Sequence, residues 1–240
     1  MRQIVPGVYL MEGLRSNSAN VYLLASGEEL TLVDSGLPGA ADQIAAQLQE
    51  KGYPLSNLQA IVLTHSHADH TGSAAELARR SGVQIMAHQD EVPYIEQTAP
   101  LPFSSLLKRL LNWLSNQLLF KRAPCKVDRA LQDGDVIETL SGLRVIHTPG
   151  HTPGSIALYQ PERRILFCGD AFFNRNPLTG KKGLQLSIPL FTLDVAQMRE
   201  SARKLAALPV DVLCFGHGEP ILAGAGERMR ELVLWEAGVS

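Results

Sequence analysis

Leu58-Gln-Ala-Ile-Val-Leu-Thr-His65-Ser-His67-Ala-Asp69-His70-Thr-Gly72 runs from a short apolar segment straight into three histidines and an aspartate. The apolar part has the length and composition of a strand buried on both faces. His65 and His67 follow it directly. Residues two apart on an extended chain point the same way, so both imidazoles can reach one cation. Asp69 and His70 come where Thr71-Gly72 turns into a helix, and the bend suits them to a second, neighbouring cation. Nitrogen donors with a carboxylate suit zinc and also tolerate iron or manganese. Four polar residues could sit together on a surface loop by chance, but their density directly after a buried strand favours metal ligation.

Outward from this run, the first half alternates strands and helices. Strands are expected over residues 8–10, 21–24, 30–34, 58–64 and 83–87, with helices over 39–51 and 73–80. The second half partly repeats the plan, with strands over 143–147, 155–159, 164–168 and 210–215 and helices over 194–208 and 226–235. Strands grouped with helices in two similar halves predict an α/β layered protein. Between the halves, Phe103, Leu106, Leu107, Leu110, Leu111, Leu114 and Leu118 recur at helical spacing. Either this helix packs on the core, or the segment over 101–120 is a lid, a dimer contact or a membrane-surface helix.

The second half supplies more candidate ligands. His151 lies in Thr148-Pro-Gly-His-Thr-Pro-Gly-Ser155, Asp170 closes Leu166-Phe-Cys-Gly-Asp, and His217 closes Val212-Leu-Cys-Phe-Gly-His-Gly218. Each ends an apolar strand beside a glycine, where the backbone can turn closely. His88 lacks that glycine signature and reads as a surface residue or one behind the ligands. His147, four residues before His151, reads as a packing residue or one behind the ligands rather than a ligand. Cys168 precedes Gly169-Asp170 and reads as core rather than nucleophile.

Composition narrows the function. The 240 residues carry a formal net charge of −2, which gives no basic face for nucleic acid. Three scattered cysteines form no disulfide framework, and Met1-Arg-Gln-Ile-Val-Pro-Gly has no leader-like apolar run. No stretch has the roughly 18 apolar residues of a membrane span. The expectation is a cytoplasmic protein acting on a small molecule, with no nucleic-acid partner and a homodimer as an option.

Together these motifs resemble the metallo-β-lactamase-fold superfamily, from Val33-Asp-Ser-Gly36 to Phe215-Gly-His-Gly218. The ordered set is Asp34, His65-x-His67-x-Asp69-His70, His151, Asp170 and His217. The resemblance implies a single domain over 1–240, and the leucine-spaced segment at about 90–122 reads as a helical insertion in it. Its implied fold is a four-layer αβ/βα sandwich of two mixed sheets flanked by helices. It implies two divalent cations, most simply zinc, with His65, His67 and His151 on one and Asp69, His70 and His217 on the other. Asp170 would bridge them, and Asp34 would steady the ligand loop by hydrogen bonds. A hydroxide held between the metals would attack an ester, lactone or thioester, with Asp69 as the catalytic residue that orients it and shuttles its proton. Phosphodiester hydrolysis and an iron-dependent oxygenase or sensor are the alternatives.

Departures from the subfamilies refine this. Family β-lactamases usually carry Cys or Ser where this chain has Asp170, which argues against β-lactam hydrolysis. Glyoxalase II relatives usually follow that Asp with a Gly-Cys-Gly-Arg-type segment, absent from Ala171-Phe-Phe-Asn-Arg-Asn-Pro. Lactonases usually place Tyr where Phe173 stands, so Phe173 is the expected substrate contact, without the phenol hydrogen bond. The lactonase and glyoxalase II branches are the nearest.

Overall fold

The computed structural model describes residues 1–14, 19–103, 109–110, 114 and 123–238. Two compact units divide the chain, Met1–Leu131 and Gln132–Ser240.

The first unit is built on a 7-stranded sheet whose spatial order follows the sequence. Its strands are β1 (Arg2–Val5), β2 (Val8–Met11), β3 (Val21–Ser26), β4 (Glu29–Val33), β5 (Leu58–Val62), β6 (Gln84–His88) and β7 (Arg129–Leu131). β1 to β4 pair antiparallel, and β4 to β7 pair parallel. Parallel neighbours need a crossover. Here α1 (Ala41–Glu50) links β4 to β5, and α2 (Ala68–Thr71) and α3 (Ala74–Ser81) link β5 to β6. In α1, Ala41, Ile44 and Leu48 are buried at one-face spacing. They join Leu23, Leu30, Leu32, Ile61, Leu77 and Ile85 in one apolar cluster. Each Leu or Ile among them contributes about 1.5–3 kcal/mol by leaving water. After β6 the chain makes a tight turn into α4 (Val92–Ile95).

The second unit carries a 5-stranded mixed sheet in the order β14-β11-β10-β9-β8. The strands are β8 (Val136–Ile137), β9 (Leu143–His147), β10 (Ile156–Gln160), β11 (Ile165–Phe167) and β14 (Val212–Cys214), and only β11 and β14 pair parallel. A separate hairpin pairs β12 (Phe172–Arg175) with β13 (Lys182–Leu186). Helices α5 (Val195–Ala206) and α6 (Ala225–Glu236) bury Ala202, Leu205, Ala206, Ala225 and Met229 in a cluster with Ile146, Ala157, Leu166 and Leu213. The Asp194 side chain caps α5 by accepting from Gln197 N at 2.9 Å.

The strand expected over 58–64 stops at Val62 because Thr64 N–H donates to the Asp34 carboxylate instead of a neighbouring strand. The hairpin β12–β13 and the strands β1, β7 and β8 were not expected. The helix expected over 101–120, with its lid, dimer and membrane-surface readings, falls almost wholly outside the described residues. Among the described residues, no helix is long and apolar enough to cross a membrane.

Close packing fixes the turn that follows the ligand run. A Cβ on Gly72 would stand 2.3 Å from Pro38 N and 2.5 Å from Ala68 O. Both obstacles are backbone and cannot swing aside. Gly72→Ala should therefore destabilise the protein by about 1–3 kcal/mol, the ordinary cost of overpacking. A thermal melt checks this, and an unchanged midpoint would contradict the packing described.

Candidate metal centre

Parallel strands bring successive strand ends to one sheet edge. In the first unit β4, β5 and β6 deliver Asp34, the ligand run and Glu91 just past their C-terminal ends. Asp34 is 2 % exposed and sits at a positive φ of 63°, a conformation Asp tolerates better than most residues. Its Oδ1 accepts from Thr64 N at 2.8 Å, and its Oδ2 accepts from Thr64 Oγ1 at 2.8 Å. Asp34 Oδ2 also lies 2.8 Å from His70 Nδ1. A carboxylate can only accept, so His70 carries its proton on Nδ1 and leaves Nε2 for a cation.

The same logic reaches His65. Thr64 has one hydroxyl proton, and it goes to Asp34. Thr64 Oγ1 therefore accepts from His65 Nδ1, 3.1 Å away, and again Nε2 is left for a cation. His65 and His67 stand edge to face with ring centroids 4.7 Å apart, and His65 lies 4.0 Å from His70. Asp69 Oδ2 is 3.9 Å from His70 Nε2. The structure thus gathers all four residues of the run within this unit.

In the second unit β11 and β14 are in parallel register, with Phe167 opposite Cys214. Asp170 and His217 each lie three residues beyond those positions, so the sheet carries them to the same edge. Gly216 N donates to Gly169 O at 2.9 Å and extends that alignment. Asp170 Oδ2 stands 3.4 Å from His217 Nε2 and 3.5 Å from His151 Nε2. One carboxylate oxygen therefore lies close to both ring nitrogens. His151 sits in the turn between β9 and β10, with Nδ1 2.8 Å from Ser187 Oγ. Thr192 Oγ1 donates to Ile188 O, so Ser187 can donate to Thr192 and accept from His151. His151 then also has its proton on Nδ1.

Imidazole and carboxylate donors with Nε2 directed to the ligand position suit zinc, iron or manganese. Cys168 is excluded from that set. Burial pushes its thiol well above the ordinary range, and Sγ lies 3.7 Å from Phe172 O. Phe173 is 1 % exposed and packs edge-on against His217, with ring centroids 5.1 Å apart. His88 is buried to 3 % rather than at the surface, and its ring accepts from Asp90 N. His147 Nε2 lies 2.9 Å from Pro153 O, a local packing contact.

Sequence reasoning missed Thr64 as a proton relay, Ser187 and Thr192 behind His151, and Glu91 beneath Ser66. Thr64 was legible beside His65. The others are distant in sequence and carry no motif.

These residues sit in a matching family frame. The profile of the metallo-beta-lactamase superfamily matches residues 15–217. The chain belongs to that superfamily. It is a metal-dependent hydrolase with the α/β metallo-β-lactamase fold. It is 31 % identical over 229 residues to the probable metallo-hydrolase YflN of Bacillus subtilis, covering 88 % of this chain and 84 % of that one. A hydroxyacylglutathione hydrolase of Pseudomonas aeruginosa is 31 % identical over 199 residues, covering 81 % of this chain and 59 % of the relative. A metallo-beta-lactamase family protein of Thermus thermophilus superposes with TM-score 0.74 at 24 % identity, over 98 % of this chain and 81 % of that one. A subclass B3 metallo-beta-lactamase of Bradyrhizobium japonicum gives 0.69 at 24 % identity, over 98 % and 91 %. At those identities the superpositions speak to fold alone.

Asp34 supports two histidines through its two oxygens, so its charge state matters. Asp34→Asn must present an amide N–H₂ where Thr64 or His70 now donates. Metal affinity should fall about tenfold to hundredfold, as for other hydrogen-bonding partners of ligands. Chelator competition reads it, and wild-type affinity in the variant would contradict the role given to Asp34.

Proposed function

We propose that this hydrolase cleaves a small ester, lactone or thioester at a centre of two divalent cations, with zinc the simplest occupant. In this reading His65, His67 and His151 hold one cation, Asp69, His70 and His217 hold the other, and Asp170 lies between them. Bound cations would supply Lewis acidity and bring the pKa of water to about 7.

The chain's own residues do the rest. Asp34, Thr64, Ser187 and Thr192 hold three imidazoles in one tautomer, so no rearrangement is needed when substrate arrives. The observation that carries the reading is the contrast among the three carboxylates. Asp34 and Asp170 side chains are 3 % and 5 % exposed, while that of Asp69 is 28 % exposed. Asp69 is thus the acid that substrate and water can reach, and we assign it the proton transfer to the leaving group. Phe173 is the expected substrate contact, but at 1 % exposure and packed edge-on against His217 it would back that imidazole rather than touch the acyl group. The relative named as a hydroxyacylglutathione hydrolase supports a thioester within this class, although the Gly-Cys-Gly-Arg-type segment is missing after Asp170. Three free cysteines, all buried, suit a reducing, cytoplasmic setting.

A panel of an aryl ester, a lactone and an acyl thioester tests this, with bis-nitrophenyl phosphate as comparison. Turnover of at least one acyl substrate is expected, lost on chelation and restored by zinc. Zinc-loaded protein inert on all three, or faster on the phosphodiester, would overturn the proposal. Iron as the sole metal, one per chain, would point instead to oxygen chemistry.

A further inference from the structure

Glu91 is the buried acid that nothing above assigns. It lies three residues beyond β6 and is fully buried. Glutamate is almost never fully buried unless its charge is compensated, because desolvation is costly. Its Oε1 accepts from Ser66 N at 2.8 Å, inside the first unit. Ser66 is the residue between His65 and His67.

The placement follows from the sheet. β5 and β6 are parallel neighbours, with Val62 opposite Met86 and Leu63 N donating to Met86 O. Both chains therefore leave the same sheet edge side by side. His88 accepts from Asp90 N and turns the chain after β6, which brings Glu91 under the loop after β5. Glu91 then holds the N-cap position of α4, yet its side chain makes no capping hydrogen bond. Ser, Thr, Asp and Asn are the residues that cap well. The carboxylate is committed to the ligand loop instead.

We propose that Glu91 is a positioning residue for the metal centre, holding the Ser66 peptide so that His65 and His67 present their rings together to one cation. Asp34 fixes the loop from the Thr64 and His70 sides, and Glu91 fixes its middle. The inference rests on the metal-centre reading above. Glutamine keeps a carbonyl acceptor of the same reach, whereas alanine removes it and strands the Ser66 N–H.

The test compares wild type, E91Q and E91A as chelator-stripped protein titrated with zinc alone, reading zinc affinity and the rise in melting temperature that zinc produces. E91A should bind zinc about tenfold to hundredfold more weakly and show a smaller zinc-induced rise than wild type. E91Q should stay within about threefold of wild type, since the acceptor is conserved. E91A matching wild type in zinc affinity and zinc-induced rise would overturn this inference alone. So would E91Q binding as weakly as E91A. Should E91A fail to fold, E91Q decides, because its loss of zinc affinity in a folded protein contradicts an acceptor role. A wild-type protein that gains nothing from zinc would overturn the metal-centre reading, and this inference with it.

Discussion

A buried carboxylate, Asp34, sets the geometry of the ligand run. An unpaired buried anion would cost several kcal/mol, so its burial stands only because both oxygens are fully used. Its partners come from residues 30 and 36 positions away: the Thr64 amide, the Thr64 hydroxyl and the His70 ring. Those bonds end β5, start the turn that carries His65 and His67, and choose the tautomer of two histidines. Asp34 in turn depends on the parallel pairing of β4 with β5, which places its strand end beside theirs.

The second unit reaches the same chemical result with neutral groups. A Ser187–Thr192 hydroxyl pair, anchored on Ile188 O, directs His151 as Asp34 directs His70. Asp170 Oδ2 lies equally close, to within 0.1 Å, to the Nε2 atoms of His151 and His217, so it stands with them as a third ligand atom. For His65, His70 and His151 the tautomer is therefore set behind the imidazole, on its Nδ1 side, and Nε2 is left for chemistry. Such fixed donors need no reorganisation during reaction, which is where electrostatic catalysis gains most.

Much of this was legible in the sequence. The apolar run before His65 announced a strand, and β5 carries it from Leu58 to Val62. Glycines beside His151, Asp170 and His217 marked strand ends, and the parallel register of β11 and β14 explains why the last two meet. The rest was hidden for identifiable reasons. Hairpin β12–β13 turns on Asn176, whose side chain accepts from Leu178 N and Thr179 N, a local turn signal that went unread. Ser187, Thr192 and Glu91 act over 25 to 41 residues through tertiary contact, and no spacing rule exposes such contacts. His88 left a surface reading open beside a place behind the ligands, because nothing local shows that β6 is buried at its end.

Fold and family leave the proposed ligand set to direct experiment. Anomalous diffraction from zinc-soaked crystals measures it. Two zinc peaks per chain are expected, one bonded to His65, His67 and His151, the other to Asp69, His70 and His217, with Asp170 touching both. A single peak, or peaks held by residues outside this set, would contradict the proposal.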